Sequence, residues 1–185
     1  MKQNKTIITT FILLIVIGSL CRVTGFAPQI AMAVFAGAII KDKKWAFAVP
    51  LFSMLISDLL FEVMNRTGIV HNMPGFYAGQ WMNYLLISGV TLIGFMINRI
   101  NVTNVAIASL TAPVAYFLLS NFGTWAMGGG YARPKTFAGL TQAMMDGVPF
   151  FGASLYNTVA FSILLFGGYV FIQRSADNKV QKAVA

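Results

Sequence analysis

Charged residues in this chain are confined to the joints between long uncharged segments. Thr6–Cys21, Val23–Ile40, Trp45–Ser57, Thr67–Asn98, Ile100–Ala132 and Gly147–Gln173 contain no Asp, Glu, Lys or Arg. A bilayer imposes such a pattern, because a charge at its centre costs about 2.5–3.5 kcal/mol even on the mildest insertion scale. The pattern predicts an all-α polytopic membrane protein in which residues 1–185 form a single transmembrane domain. Six transmembrane helices in one bundle are expected, at about Thr6–Val23, Ala27–Ile40, Lys44–Met64, Gly79–Ile97, Thr103–Phe122 and Pro149–Gln173. Pro28 opens the second at a position where a missing N–H costs nothing. Several apolar cores fall short of the ~20 residues of a straight span; Arg22 and Lys44 extend two of them by snorkelling.

The basic residues set the orientation. With the N-terminus inside, Lys2, Lys5, Lys41, Lys43, Lys44, Arg99, Arg174, Lys179 and Lys182 are cytoplasmic, and Arg22, Arg66, Arg133 and Lys135 are outside. The excess of inner Lys and Arg favours both termini inside, and so an even number of spans. The inner turns, 41–44 and 98–101, are tight. The outer loops, 65–78 and 123–148, are long, and loops of that length in a compact domain usually bind something or cover a site. Within the second, Phe137–Met145 reads as a short helix, with Pro134 before it, Thr136 as cap and Gly147 after it.

Composition narrows the function classes. The chain is 57% hydrophobic and 10% charged, with a formal charge of +8. The bases sit at segment ends and form no patch with interleaved aromatics, so a nucleic-acid partner is excluded. Gly128-Gly129-Gly130 is not followed by Lys-Ser or Lys-Thr, so there is no phosphate loop for ATP hydrolysis. HExxH is absent, and a lone His71 builds neither a His-rich metal site nor a bis-His haem site. The single cysteine, Cys21, reads as a small apolar filler. No cofactor and no catalytic constellation is expected. A membrane enzyme acting on a lipid-linked substrate would have to use Asp58, Glu62 or Asp146 as acid or base.

The polar residues within the spans carry the functional reading. Asp58, Glu62 and Arg66 fall at i, i+4 and i+8 near the outer end of the third helix, in the favourable order for a Glu62–Arg66 pair. One reading is an interfacial ladder that ends the helix in water. The other turns Asp58 inward to organise an outer site, since polar groups at membrane depth face a cavity or a partner. Trp and Tyr crowd the outer half. An interface belt explains part of that, but a belt is two-sided and this one is not. An outward-facing pocket fits the asymmetry better. Its expected substrate-binding residues are Asn121, Trp125, Tyr131, Asn157, Trp81, Asp58, Gln142 and Phe150, and Gln80 and Asn83 supply further amides.

Two stretches carry a resemblance. One is 27–38, continuing through Lys43–Leu51 to Ile56-Ser57-Asp58-Leu59. The other comprises Ser120–Trp125, Thr136–Leu140, Val148–Phe151 and Leu165–Gly167. Together they resemble an uncharacterised family of small bacterial inner-membrane transport proteins. The first also looks like the S components, the substrate-binding subunits, of energy-coupling factor (ECF) transporters. That resemblance implies a six-helix protein taking up a vitamin-like small molecule through a pocket closed by outer loops. It also implies membrane lipids around it, and a T subunit with two cytoplasmic ATPases as partners. Helix one departs from the pattern, because Thr6–Ser19 lacks the small-xxx-small Ala motif with which S components dock. Docking then uses another face, or the protein acts alone. The competing expectation is a structural or assembly subunit of a larger inner-membrane complex.

Overall fold

The computed structural model describes the backbone of residues 2–184 and the side chains of Thr10 and residues 12–175. The side chains of Lys2, Lys5, Lys179 and Lys182, used above for orientation, lie outside the described residues. The described residues form six α-helices: α1 (Lys2–Val23), α2 (Gln29–Ile39), α3 (Lys43–Arg66), α4 (Trp81–Phe95), α5 (Val102–Met127) and α6 (Phe137–Val184). Local chemistry sets several ends. The Asp42 carboxylate accepts from the Lys44 N–H at 2.9 Å to start α3, and the Asn101 side chain accepts from the Asn104 N–H at 2.7 Å to start α5. Gly128 closes α5 in the left-handed region, at φ 75°, where a Cβ would be strained.

The helix α2 is the hub, in contact with each of the other five. It is only 11 residues long, about 16 Å at 1.5 Å per residue, and is buried along nearly its whole length. Small side chains make that position tenable. Ala31, Ala33 and Ala36 let neighbouring backbones approach, and Gly37 meets α4 so closely that a Cβ on it would lie 2.3 Å from the Thr91 carbonyl oxygen. Phe35 packs edge-on against Phe166 of α6, ring centroids 5.1 Å apart. By contrast, α1 lies outermost and rests chiefly on α3.

Among the described residues, three helices are long and apolar enough to cross a membrane: α3, α5 and residues 137–175 of α6. Leu118, Ile163, Leu164 and Phe171 are exposed on α5 and α6, a surface suited to lipid rather than to water.

α1 begins at Lys2 and α6 runs on to Val184, and two boundaries around the expected 123–148 loop differ more consequentially. First, α5 runs on through Trp125 to Met127. Second, the short helix over 137–145 and the helix from Pro149 form one continuous element. The loop expected over 123–148 is therefore only 128–136. Gly147 and Pro149 read as a break because proline removes a helix hydrogen bond. Tertiary contacts override that cost. Gly147 abuts the Asn121 amide so closely that a Cβ would come within 2.3 Å of Oδ1, and Arg133 ties Asp146 to the loop before α6.

Candidate functional site

The end of α1, the last turns of α3 and the start of α4 converge, and each brings a polar side chain. Asp58 of α3 is 2% exposed, and both its oxygens are engaged. Oδ1 accepts from Arg22 Nη1 of α1. Oδ2 accepts from Gln80 Nε2 at 2.5 Å and from the Tyr84 hydroxyl at 2.6 Å. The same Arg22 nitrogen donates to Ser57 Oγ at 2.6 Å, and the guanidinium lies over the Phe61 ring. A buried carboxylate needs this many donors, because desolvation otherwise drives it to neutrality.

The 67–80 loop closes over this cluster. Gln80 Nε2 donates to the Gly75 carbonyl at 2.7 Å, Gln80 Oε1 accepts from the Tyr77 N–H at 3.3 Å, and the Gly75 N–H donates to Glu62 Oε2 at 3.2 Å. Glu62 Oε1 pairs with Arg66 Nε at 2.6 Å, the i, i+4 pair expected from spacing. Gly75 lies directly on α3, and a Cβ there would sit 1.8 Å from the Asp58 carbonyl oxygen. The network then runs outward: Asn83 Nδ2 donates to the Tyr77 hydroxyl at 2.5 Å, and the Tyr116 hydroxyl donates to Asn83 Oδ1 at 3.0 Å. Lost hydration raises the Tyr77 phenol above its ordinary range, and the negative charge of Asp58 adds to the shift.

Below Asp58, polar groups continue between α1, α2 and α3. Ser19 Oγ donates to the Ser53 carbonyl at 2.9 Å, and Gln29 Nε2 donates to the Gly18 carbonyl at 3.3 Å. Two atoms here, Gln29 Oε1 and Ser53 Oγ, are buried without a hydrogen-bond partner. Such groups are rare in folded proteins, because each forfeits its hydration without compensation.

A second polar cluster joins α5 and α6 at the same end. Arg133 holds Asp146 through two bonds of 2.9 Å, which raise the guanidinium's already high pKa. Trp125 Nε1 donates to the Pro134 carbonyl at 2.8 Å, and Lys135 Nζ lies 5.2 Å from the Trp125 ring. Tyr131 is 77% exposed, with Arg133 over its ring.

The eight residues expected to bind substrate divide between these places. Asp58 lies in the buried cluster, Trp125 and Tyr131 border the second, and Asn121 faces Gly147 between α5 and α6. Asn157 is buried farther along α6, whereas Trp81, Gln142 and Phe150 lie on the exposed surface. Among the described residues, no hydrogen bond links these last three to Asp58. Sequence reasoning missed Arg22 as the partner of Asp58, and missed Gln29, Ser53 and Ser57. The signal for Arg22 was available: a lone cation ends one uncharged run at the depth where a lone carboxylate ends another.

A family model described as Family of unknown function (DUF6580) matches residues 1–181. No curated protein matches the chain, and no solved structure matches it.

Proposed function

Since this chain belongs to DUF6580, a family of unknown function, we propose from its own residues that it is a substrate-binding membrane component for uptake of a vitamin-like small molecule. In this reading all six helices span the inner membrane of a bacterium, with both termini cytoplasmic. The Asp58 end then faces outward, and the loops 67–80 and 128–136 close over it. The chain carries no phosphate loop, so the energy for uptake comes from a T subunit with cytoplasmic ATPases or from the substrate gradient itself.

One observation carries the proposal. Gln29 Oε1 and Ser53 Oγ are buried and unpaired beneath a charged network that is otherwise satisfied. A small ligand with one donor and one acceptor completes both, and the Arg22–Asp58 pair above gives it a polarised wall. Unpaired groups that are neutral favour a weakly charged nutrient over a free ion.

Native mass spectrometry of the protein extracted gently from its host tests this. The expected result is a reproducible small-molecule adduct that is lost in Gln29→Leu, and weakened in Trp125→Ala, while helicity is retained. A bare protein that instead carries a stoichiometric second membrane subunit overturns the proposal in favour of an assembly role.

A further inference from the structure

The two ends of the bundle hold their bases differently. At the Asp58 end, Arg22 pairs with Asp58, Arg66 with Glu62 and Arg133 with Asp146, so each arginine has its own carboxylate. The opposite end lies about 22 Å away along α3 by helix rise, from Asp58 back to Lys43. It carries Lys41, Lys43, Lys44, Arg99 and Arg174, all exposed, with Asp42 as the single carboxylate among the described residues. None of these bases takes part in an ion pair among the described residues. Asp42 is engaged in capping α3.

The fold gathers these bases on one rim. Lys43 Nζ lies 5.7 Å from the centre of the Phe95 ring, where α4 ends just before Arg99. Ile100 and Asn101, next to Arg99, line one groove with Arg174. The three helices long and apolar enough to cross a membrane all have an end here: α3 starts at Lys43, α5 starts at Val102, and the apolar part of α6 stops at Ser175. A second observation says what meets the rim. A large apolar side chain stands exposed beside each basic segment: Trp45 by Lys44, Met96 and Val102 on either side of Arg99, and Phe171 one turn before Arg174. Val102 is 86% exposed and Met96 76%. Cation and apolar neighbour make opposite demands on the solvent, and both are met where lipid headgroups join the acyl chains. An acidic protein surface answers the charge but not the apolar residues, which recur at all three helix ends.

We propose that this rim selects anionic phospholipids, whereas the Asp58 end takes lipids without regard to their charge. Phosphates of the headgroups meet Lys41, Lys43, Lys44, Arg99 and Arg174, and the acyl chains lie on Trp45, Met96, Val102 and Phe171. A zwitterionic headgroup carries its own cation and so leaves the excess of bases uncompensated; a net anionic one compensates it. At the other end each arginine is already neutralised within the protein, and an anionic headgroup gains little there. The inference requires the chain to sit in a bilayer. It does not require the uptake reading, and a protein without a small-molecule adduct leaves it standing.

Fluorescence quenching by brominated lipids tests it, with the full chain in vesicles of brominated phosphatidylglycerol or brominated phosphatidylcholine mixed with unlabelled lipid. Trp45 stands on the rim and Trp81 at the Asp58 end, both exposed. Trp81→Phe/Trp125→Phe leaves Trp45 as the reporter, and Trp45→Phe/Trp125→Phe leaves Trp81. At Trp45 phosphatidylglycerol is expected to bind about fivefold better than phosphatidylcholine, the value of one base beside an anionic headgroup. At Trp81 the ratio is expected to be about one. Adding Lys41→Gln/Lys43→Gln/Lys44→Gln, at exposed positions that tolerate substitution, brings the Trp45 ratio to about one, and high salt lowers it in the unaltered rim. A ratio of one at Trp45 with the lysines in place overturns the proposal. So does an equal preference at Trp81, or a Trp45 preference that survives loss of the three lysines. Quenching of Trp45 by neither lipid overturns it as well, and makes an acidic protein the occupant of the rim.

Discussion

Arg22 and Asp58, separated by 36 positions in the chain, meet as an ion pair that joins the end of α1 to α3. Among the described residues, α1 is otherwise held by its packing along α3, by the Ser19–Ser53 bond and by a limited stretch of α2. The pair sits where the two charges are unequally protected: Asp58 is 2% exposed and Arg22 23%. Removing Arg22 therefore strands a buried carboxylate, whereas removing both charges strands no charge and leaves only the neutral Gln80 amide and Tyr84 hydroxyl without their Asp58 acceptor. Arg22→Met is expected to cost about 3–5 kcal/mol, and Arg22→Met/Asp58→Leu to recover most of it. Chemical denaturation in detergent, followed by helicity, measures both. A double variant as unstable as the single one would show that the pair itself, rather than the orphaned charge, holds α1.

Gly75 offers a sharper probe of the loop. Its missing side chain lets 67–80 lie against the α3 backbone, where a Cβ would stand 1.8 Å from the Asp58 carbonyl and 2.5 Å from the Glu62 nitrogen. Backbone cannot give way there as a flexible side chain could. Gly75→Ala is expected to cost about 1–3 kcal/mol and to lift the loop. The Glu62 and Gln80 contacts are lost with it. Limited proteolysis and amide exchange report the change as faster cleavage and exchange within 67–80 and little change in α2. Unchanged protection of the loop would mean that its docking does not depend on Gly75.

What the sequence reveals of this molecule follows from the physics of its solvent. Uncharged blocks locate helices because a charge in lipid is expensive, and each of the six helices overlaps one block, although α3 and α6 run well beyond theirs. The Glu62–Arg66 pair is legible because i, i+4 neighbours on a helix are local. Facing is a different matter. In water, apolar residues mark the inside of a bundle; against lipid they suit both sides, so aromatic content does not separate pocket from surface. Trp81, Tyr131 and Phe150 are all exposed for that reason, while Asp58 is turned inward. Arg22 escaped notice because its partner is remote in the chain, and snorkelling gives a sufficient local account of a cation at a helix end. The continuation of α6 through Pro149 is equally nonlocal, since Asn121 and Arg133 hold the preceding turns in line.

Gly37 and Gly94 hold the other end of the fold. A Cβ on Gly37 would lie 2.3 Å from the Thr91 carbonyl, and one on Gly94 would lie 2.3 Å from the Val34 carbonyl. The two backbones touch, and each glycine gives up helix propensity, about 1 kcal/mol relative to Ala, to permit the crossing. Gly37→Leu and Gly94→Leu are each expected to lower stability by about 1–3 kcal/mol or more through overpacking. Gly89 on the same helix has open space around it, so Gly89→Ala is expected to be neutral or stabilising. Thermal unfolding of the three variants in one detergent separates packing from propensity. Equal losses at Gly89 and Gly94 would remove the crossing as the cause.

Tyr77 makes the loop over Asp58 sensitive to alkaline pH. Its phenol is raised above the usual value of about 10, first by lost hydration and then by the negative charge of Asp58. The sign follows from the neutral form being favoured when the loop is docked. The contribution to stability is complete below the unfolded value and is lost as pH rises through the higher folded value. The hydroxyl accepts from Asn83, which in turn accepts from Tyr116, and that bond favours the ionised form; what opposes ionisation is lost hydration and a second negative charge near Asp58. Ultraviolet titration of the intact protein against Tyr77→Phe is expected to resolve one phenol ionising later than free tyrosine. Amide exchange in 67–80 should rise over the same interval. In Asp58→Asn the Tyr77 step moves back toward the ordinary value, because one of the two influences that raise it is gone while Arg22 and Asn83, which lower it, remain. A Tyr77 step indifferent to Asp58→Asn would leave hydration alone as the cause and remove the electrostatic link between the loop and the buried carboxylate.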